Sequence, residues 1–146
     1  MTGRDEILRS ILTERTVDIV TTGRRSGAAR TTEIWITPLE GRVYVCGTPN
    51  ASRKGVVHAP RDWLANLKAQ PAFRLRLKTS VAAELTADAE VVSDPAERRR
   101  ILSAPATEYY RKAVSLEAAV AHSPVVLVRF TGEAAWLNEA VGEAGR

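Results

Sequence analysis

Hydrophobic and polar residues alternate along several short stretches of the chain, and this period of two predicts β-strands. The alternation runs through residues 16–22 and 31–37, which flank a polar segment, and through 42–46 after the turn Glu40-Gly41. Short connections between successive strands favour an antiparallel meander. Three later stretches complete about six strands; they are residues 73–78, 83–90 and the Val- and Leu-rich 124–131.

Apolar residues recur at helical spacing in four other segments. Residues 1–15 form one amphipathic helix, and a second begins at Trp63. Asp94, followed by a proline and then Glu97, is typical of a helix start, with a glutamate that closes a capping-box-like pair. Residues 105–121 predict a longer helix. The tail, 132–146, is either a docked helix or a frayed end.

These elements predict a mainly β fold with flanking helices, of the α+β class. Strands without βαβ spacing favour an antiparallel barrel or sandwich over a parallel sheet. A chain of 146 residues fits a single domain. We therefore expect one domain over 1–146, with an N-terminal helix at 1–15, a barrel at 16–131 and a C-terminal tail at 132–146.

The composition is that of an ordinary globular protein, with 45% hydrophobic residues and a formal net charge of +4. This charge is compatible with an anionic small ligand, but the cations lack the interleaved aromatic residues typical of nucleic-acid binding. The single cysteine, Cys46, excludes an internal disulfide and suits a reducing compartment. No signal peptide or long apolar run is visible, so we expect a cytoplasmic protein without an integral membrane segment.

The segment between the first two strands reads TTGRRSGAAR over residues 21–30. Gly23 and Gly27 permit backbone angles that let a tight loop direct its N–H groups to one point. Arginine side chains around such a loop suit phosphate or carboxylate. The loop is therefore interpreted as an anion site, and a solvated basic hairpin turn is the alternative.

A long loop, 47–60, carries further basic residues next to the second helix. If it folds back over the first loop, six cations surround one mouth of the barrel. The alternative is that some of these six residues are ordinary solvated charges. A separate basic run at 98–100 is interpreted as a solvated helix face. The six cations are Arg24, Arg25, Arg30, Arg53, Lys54 and Arg61.

Other chemistries have little support. His58 and His122 are far apart and lack acidic or sulfur neighbours at ligand spacing, so no metal site is expected. Ser26 has no nucleophile-elbow context, and the loop lacks the ending of a phosphate-binding P-loop. The aromatic residues Trp35 and Tyr109 could form walls for a planar ligand or could pack in the core.

Two motifs resemble the deazaflavin-dependent nitroreductase family, which has a split β-barrel related to the FMN-binding pyridoxamine-phosphate-oxidase fold. They are TTGRRSG at 21–27, followed by Arg30, and WLANLKAQP at 63–71. The order of the motifs, the intervening hairpin and the terminal SPVV at 123–126 also match. The chain departs from the pattern at Ala29 and Glu33, where relatives often have proline, and at Arg25, where lysine is common.

The resemblance implies an enzyme that uses coenzyme F420, a deazaflavin with a phosphate and an acidic tail, to reduce a small organic acceptor such as an enone, quinone or nitro compound. Tyr109 and Tyr110 are implied as the catalytic residues that orient or protonate the acceptor. The implied cofactor-binding residues are Arg24, Arg25, Ser26, Gly27, Arg30, Thr31, Thr48, Ser52, Lys54, Trp63 and Asn66.

Two other classes of function stay open beside this one. A related oxidoreductase could bind FMN, whose shorter anionic tail needs fewer loop cations. A cofactor-binding or carrier protein would bind the same group without catalysis. Split barrels are often homodimers, although some deazaflavin reductases act as monomers, and the sequence leaves this choice open.

Overall fold

The computed structural model describes residues 3–48, 62–112 and 114–145, and within them six strands close into an antiparallel barrel. The order around the barrel is β1-β2-β3-β6-β5-β4, and β1 pairs with both β2 and β4 to close it. The expected split-barrel class is therefore confirmed. The strands are β1 (Thr16–Thr22), β2 (Ala29–Leu39), β3 (Arg42–Cys46), β4 (Ala72–Leu77), β5 (Ala83–Val91) and β6 (Val125–Phe130).

Helices surround the barrel and cover its openings. The N-terminal helix carries the fully buried Ile11, and the C-terminal helix buries Leu137 and Val141 against the same core. The tail is thus a docked helix rather than a frayed end. The helices are α1 (Arg4–Thr13), α2 (Asp62–Ala69), α3 (Pro95–Leu102), α4 (Glu108–Lys112), α5 (Leu116–His122) and α6 (Trp136–Ala144), with 3-10 turns at Pro105–Thr107 and Gly132–Ala134.

The strands β3 and β6 are buried on both faces over most of their length, which explains why β6 is apolar without interruption from Val125 to Val128. Val43 and Val45 face the barrel interior, whereas Tyr44 and Cys46 face a second apolar layer formed with α3, α4 and α5. Leu127 of β6 belongs to the same outer layer. This layer places the helix that carries Tyr109 and Tyr110 against the outside of the barrel.

The continuous helix expected over 105–121 is wrong, because the chain forms a 3-10 turn followed by two short helices, α4 and α5. Ser115 has an extended backbone, and its hydroxyl accepts a hydrogen bond from the N–H of Ala118 at 3.0 Å. Such an N-cap begins a new helix and interrupts the old one. The apolar periodicity continues through the break, so periodicity alone did not reveal it.

The interpretation of residues 98–100 as a solvated face is wrong for Arg98. Its half-buried guanidinium donates hydrogen bonds to the carbonyl oxygens of Val120 at 2.8 Å and Val92 at 2.9 Å, and also to that of Ser123. Burial is the main cause that lowers the pKa of Arg98. The side chain therefore satisfies carbonyl groups at the junction of α3, α5 and the barrel.

The outer face of β4 and β5 is polar, as the alternation predicts. Arg76 lies opposite Glu84, and Arg74 pairs with the same carboxylate at 2.6 Å. Hydrogen bonding from Arg74 lowers the pKa of Glu84. The capping box expected at Glu97 forms only in part. The N–H of Glu97 donates to the Asp94 carboxylate, but the Glu97 carboxylate pairs with Arg100 instead of closing the box.

Candidate functional site

The loop between β1 and β2 is closed by its own backbone. The N–H of Gly23 donates to the carbonyl of Ala28, and the N–H of Gly27 donates to the carbonyl of Gly23, each at 2.8 Å. The Ser26 hydroxyl accepts from the N–H of Ala28 at 3.1 Å. These bonds fix a compact loop over residues 23–28 at the end of the barrel.

Both glycines of the loop are required by its geometry. Gly27 has φ +71°, a left-handed conformation that favours glycine. A Cβ at Gly23 would lie 2.6 Å from the Ser26 hydroxyl and 3.3 Å from the carbonyl of Ala28. The residue pattern that identified the loop therefore reflects a real backbone requirement.

Asn66 on α2 connects the helix to the loop. Its side-chain oxygen accepts from the backbone N–H of Arg24 at 3.0 Å, and its amide nitrogen donates to the Thr21 hydroxyl at 3.3 Å. Asn66 is only 4% exposed and Thr21 is buried as well, so the bond between them is protected from water, whereas the bond to Arg24 is part-buried. Its structural effect is to hold the loop and to direct the Arg24 guanidinium, whose Nη1 lies 3.4 Å from the same oxygen.

The loop arginines differ in their partners. Arg24 pairs with Asp62 at 3.6 Å. Arg25 and Arg30 are exposed and make no hydrogen bond or ion pair from their side chains to a described residue. Their charges are therefore not neutralised by that part of the chain. They border a cleft of about 400 Å³ lined by Gly23, Arg24, Arg25, Ser26, Arg30, Thr31, Thr32, Asp62, Trp63 and Asn66.

A second cleft, of about 330 Å³, adjoins the first. The two clefts share Thr32 and Trp63 in their linings, so Trp63 stands at the junction between a cationic and an aromatic compartment. The aromatic cleft lies on the outer face of the barrel, between β2, β3 and α4. Its lining comprises Thr32, Glu33, Ile34, Trp35, Cys46, Gly47, Thr48, Trp63, Tyr109 and Tyr110.

The aromatic side chains divide into exposed walls and buried supports. Trp35 is 37% exposed and Tyr109 is 55% exposed, and their ring centroids lie 5.0 Å apart. Tyr110 is buried and meets the ring of Tyr109 edge-on at 5.6 Å. Core packing, the alternative to a ligand wall, therefore applies to Tyr110 and Trp63 but not to Trp35 and Tyr109.

The Tyr110 hydroxyl is buried and has no hydrogen-bond partner among the described residues. Burial, the largest cause, raises the pKa of Tyr110 to about 12. The nearby Thr37 hydroxyl acts in the opposite direction, although the two hydroxyl groups do not have the geometry of a hydrogen bond. The phenol therefore stays protonated at neutral pH, behind the exposed ring of Tyr109.

The structure brings most of the expected site residues into the two clefts. The cationic cleft contains the expected loop arginines, Ser26, Thr31, Trp63 and Asn66, and the aromatic cleft contains Thr48 and the tyrosine pair. Gly27 shapes the loop and does not line either cleft. Ser52 and Lys54 lie outside the described residues, as do Arg53, Arg61 and His58.

Some residues of the clefts were not expected from the sequence. Thr32 and Asp62 line the cationic cleft, and Glu33 and Ile34 line the aromatic one. Asp62 immediately precedes the Trp63 motif, so its position next to that motif was an available signal. The other three residues, Thr32, Glu33 and Ile34, lie on β2. The alternation predicts which face of the strand each one occupies, but it does not predict which elements pack next to that face.

The fold and the adjoining clefts define a split β-barrel protein with a candidate site for an anionic, planar ligand. A family model described as F420H(2)-dependent quinone reductase matches residues 9–132. The chain belongs to this family of F420-dependent reductases. No match was found among curated protein sequences, and none of the described helices is long and apolar enough to cross a bilayer.

Solved structures share the fold at low sequence identity. A candidate 5-nitroimidazole antibiotic resistance protein from Bacteroides thetaiotaomicron has a TM-score of 0.65 at 15% identity, covering 90% of this chain and 82% of that one. An FAD-binding protein from Mesorhizobium loti has 0.60 at 10%, covering 90% and 91%. A candidate pyridoxamine 5′-phosphate oxidase from Listeria innocua has 0.59 at 11%, covering 88% and 93%. These likenesses show the fold.

Proposed function

We propose that the protein is a reductase that binds reduced coenzyme F420 and transfers its hydride to a small planar acceptor. One observation carries the proposal, namely that a cationic cleft and an aromatic cleft adjoin at Trp63. A cofactor with an anionic tail and a planar ring needs both compartments in this order. The family of the chain supports the same cofactor.

The residues present fit such a cofactor. The guanidinium groups of Arg25 and Arg30, which have no ion-pair partner among the described residues, suit phosphate and carboxylate groups, and each can bind such a group through two parallel hydrogen bonds. The tight loop places both near the Ser26 hydroxyl. FMN carries one phosphate and no acidic tail. Two cations that make no ion pair within the described part of the chain, in addition to Arg24, therefore favour the deazaflavin over FMN.

When bound, the reduced deazaflavin supplies the hydride, so this chain has to bind, orient and protonate. The loop arginines hold the anionic groups and fix the position of the ring relative to Trp63. The exposed faces of Trp35 and Tyr109 provide a wall for a planar acceptor and reduce its contact with water. Hydride transfer to an acceptor leaves negative charge on an acceptor oxygen, which a hydroxyl donor stabilises.

We assign the proton-donor role to the hydroxyl of Tyr109 rather than to that of Tyr110. Tyr109 is exposed to the cleft, whereas the Tyr110 hydroxyl is buried and Tyr110 supports the ring of Tyr109 edge-on. Reduction of a quinone to its hydroquinone takes one hydride and one proton, and Tyr109 can donate that proton and regain it from solvent.

A quinone is the acceptor class favoured by the description of the family. Enones and nitro compounds remain in the same proposal, because each is planar at the reacting centre and develops charge on oxygen. The cofactor ring would occupy the aromatic cleft of about 330 Å³, so the acceptor would lie over that ring beside the exposed Trp35 and Tyr109.

Titration calorimetry of the purified protein with F420 and with FMN tests the cofactor. Arg25→Ala should weaken F420 binding about tenfold or more, the loss of one charge-assisted hydrogen bond. Arg42→Ala is the matched control, since it removes the same charge at the β2–β3 turn, at the opposite end of β2. Equal F420 affinity in both variants would remove the loop from the site.

Turnover is measured with reduced F420 and a panel of one quinone, one enone and one nitroaromatic compound. Reduction of the quinone supports the proposal, and Tyr109→Phe should lower that rate. Tight F420 binding without reduction of any acceptor would instead indicate a carrier protein. Tight FMN binding with negligible F420 binding would indicate the FMN-dependent class.

A further inference from the structure

One carboxylate lies in the cationic cleft. Asp62, the first residue of α2, lines this cleft together with the three loop arginines. Its side chain is 91% exposed, and its Oδ1 lies 3.6 Å from Nη1 of Arg24. A carboxylate in the lining of an anion site opposes binding, because its negative charge repels the ligand. The position of Asp62 therefore calls for a role of its own.

The ion pair between Arg24 and Asp62 is loose. Its N–O distance of 3.6 Å is longer than that of a hydrogen bond, and Asp62 makes no other ion pair with a described residue. Water and salt screen an exposed pair of this kind, so it contributes little to stability. A ligand with a better-placed anionic group can therefore take Arg24 from Asp62 at small cost.

The loop keeps its conformation without Asp62. Asn66 accepts from the backbone N–H of Arg24 at 3.0 Å, and the loop is closed by its own hydrogen bonds at Gly23 and Gly27. The side-chain oxygen of Asn66 also lies 3.4 Å from the Arg24 Nη1. Displacement of Asp62 thus makes the Arg24 charge available and leaves the loop in place.

The three arginines of the loop differ in how available their charges are. Arg25 and Arg30 make no ion pair with a described residue, so a first anionic group meets them without competition from that part of the chain. The charge of Arg24 is shared with Asp62 until a ligand displaces the carboxylate. The cost of this displacement falls on a ligand that carries a further anionic group and uses the third arginine.

We propose that Asp62 is a positioning residue that competes with the acidic tail of the cofactor for Arg24, and that it weakens binding the more anionic groups the ligand carries. The inference rests on the proposed cofactor site. It suits a cofactor that is used up in each turnover, because the oxidised form has to leave before a reduced one binds. Three uncontested arginines would slow that exchange.

Fluorescence titration with three forms of the deazaflavin tests the competition. The forms are the complete cofactor, the same compound without its glutamates, and the neutral riboside without phosphate. Asp62→Asn should tighten binding of the complete cofactor about threefold, within the range for an exposed ion pair. The gain should be smaller without the glutamates and absent for the riboside. About 0.5 M salt should remove most of it, because exposed charges are screened.

Matched variants separate this role from a general effect of charge and from a structural one. Asp62→Glu keeps the charge and should keep the wild-type affinity. Glu143→Gln removes an exposed carboxylate from the last turn of α6, which packs on the β2–β3 turn at Gly41, and should change no affinity. In Arg24→Gln, the further change Asp62→Asn should lose most of its effect, since the contested cation is gone. The urea midpoint of Asp62→Asn should equal that of the wild-type protein.

The outcomes separate this inference from the proposed function. If F420 binds the wild-type protein and Asp62→Asn leaves its affinity unchanged or weakens it, the role of Asp62 is wrong while the cofactor site stands. An equal gain for the riboside, or a full gain in Arg24→Gln, would overturn the role as well. If no form of F420 binds, the proposed cofactor is wrong, and titration with inorganic pyrophosphate decides the competition. Tighter pyrophosphate binding in Asp62→Asn then supports it, and equal binding overturns it.

Discussion

The connection between Asn66 and the loop over residues 23–28, the proposed anion loop, provides the sharpest quantitative test of how the site is held. Asn66→Leu keeps a side chain of similar volume and removes both hydrogen bonds, to the N–H of Arg24 and to the Thr21 hydroxyl. Each such bond contributes about 1 kcal/mol net. The Thr21 hydroxyl is buried and would lose its partner, which costs about 1–3 kcal/mol more. The Arg24 N–H lies in an exposed loop and can turn to water.

We therefore expect Asn66→Leu to lower the free energy of unfolding by about 3 kcal/mol, measured by urea denaturation. In a double-mutant cycle, Thr21→Val removes the group that Asn66→Leu leaves unpaired. The double variant should therefore be more stable, by about 1 kcal/mol, than the sum of the single effects predicts. A loss below about 0.5 kcal/mol for Asn66→Leu would show that the loop does not depend on this residue.

Asn66→Asp separates the stability of the loop from its affinity for an anion. A carboxylate can still accept from the Arg24 N–H, and the Thr21 hydroxyl can rotate to donate to it, so most of the hydrogen bonding survives. The new charge lies where the Arg24 Nη1 is 3.4 Å from the side-chain oxygen and competes for that guanidinium. F420 binding, measured by calorimetry, should therefore weaken in Asn66→Asp although the free energy of unfolding changes little. Wild-type affinity in this variant would mean that Arg24 does not meet the anion.

Two further predictions concern the buried groups behind the aromatic cleft. Tyr110→Phe removes a hydroxyl without a partner and keeps the edge-on ring contact, so stability in urea should be unchanged or higher by up to about 1 kcal/mol; a loss above that would show that the hydroxyl is bonded. Burial raises the pKa of the Cys46 thiol from 9.0 to about 12, so above pH 9 the unfolded chain binds fewer protons than the folded one. Stability should then fall by about 1 kcal/mol between pH 9 and 10, a fall that Cys46→Ala reduces, and the slope should approach about 1.4 kcal/mol per pH unit above that range.

The barrel and the anion loop were predictable because their signals are local. Alternation identifies a strand from its own residues. Gly27 marks a left-handed backbone position, and Gly23 marks a position where a Cβ would be too close to Ser26 and Ala28. The split of residues 105–121 at Ser115 and the burial of Arg98 were not predictable in this way. An N-cap serine inside an apolar period and an arginine that binds carbonyls of other elements depend on tertiary contacts.

The aromatic cleft shows the same limit more clearly. Trp35 lies on the outward face of its strand, where it is opposite Thr16 on β1. Whether such a residue is a solvated surface group or the wall of a cleft depends on α4, which brings Tyr109 to 5.0 Å from it. No spacing along the chain encodes that approach, because the residues are more than seventy positions apart.

One turn of α2 links the two compartments of the site. Asn66 holds the anion loop, and Trp63, three residues earlier on the helix, stands at the junction of the clefts. Three residues rise about 4.5 Å along a helix, so these side chains lie on neighbouring positions of one face. Leu67 on the same helix is almost fully buried in the barrel core. The barrel thus fixes α2, and α2 fixes the loop over residues 23–28 relative to the aromatic wall. The proposed hydride transfer would require this of the groups that position the tail and the ring of the cofactor.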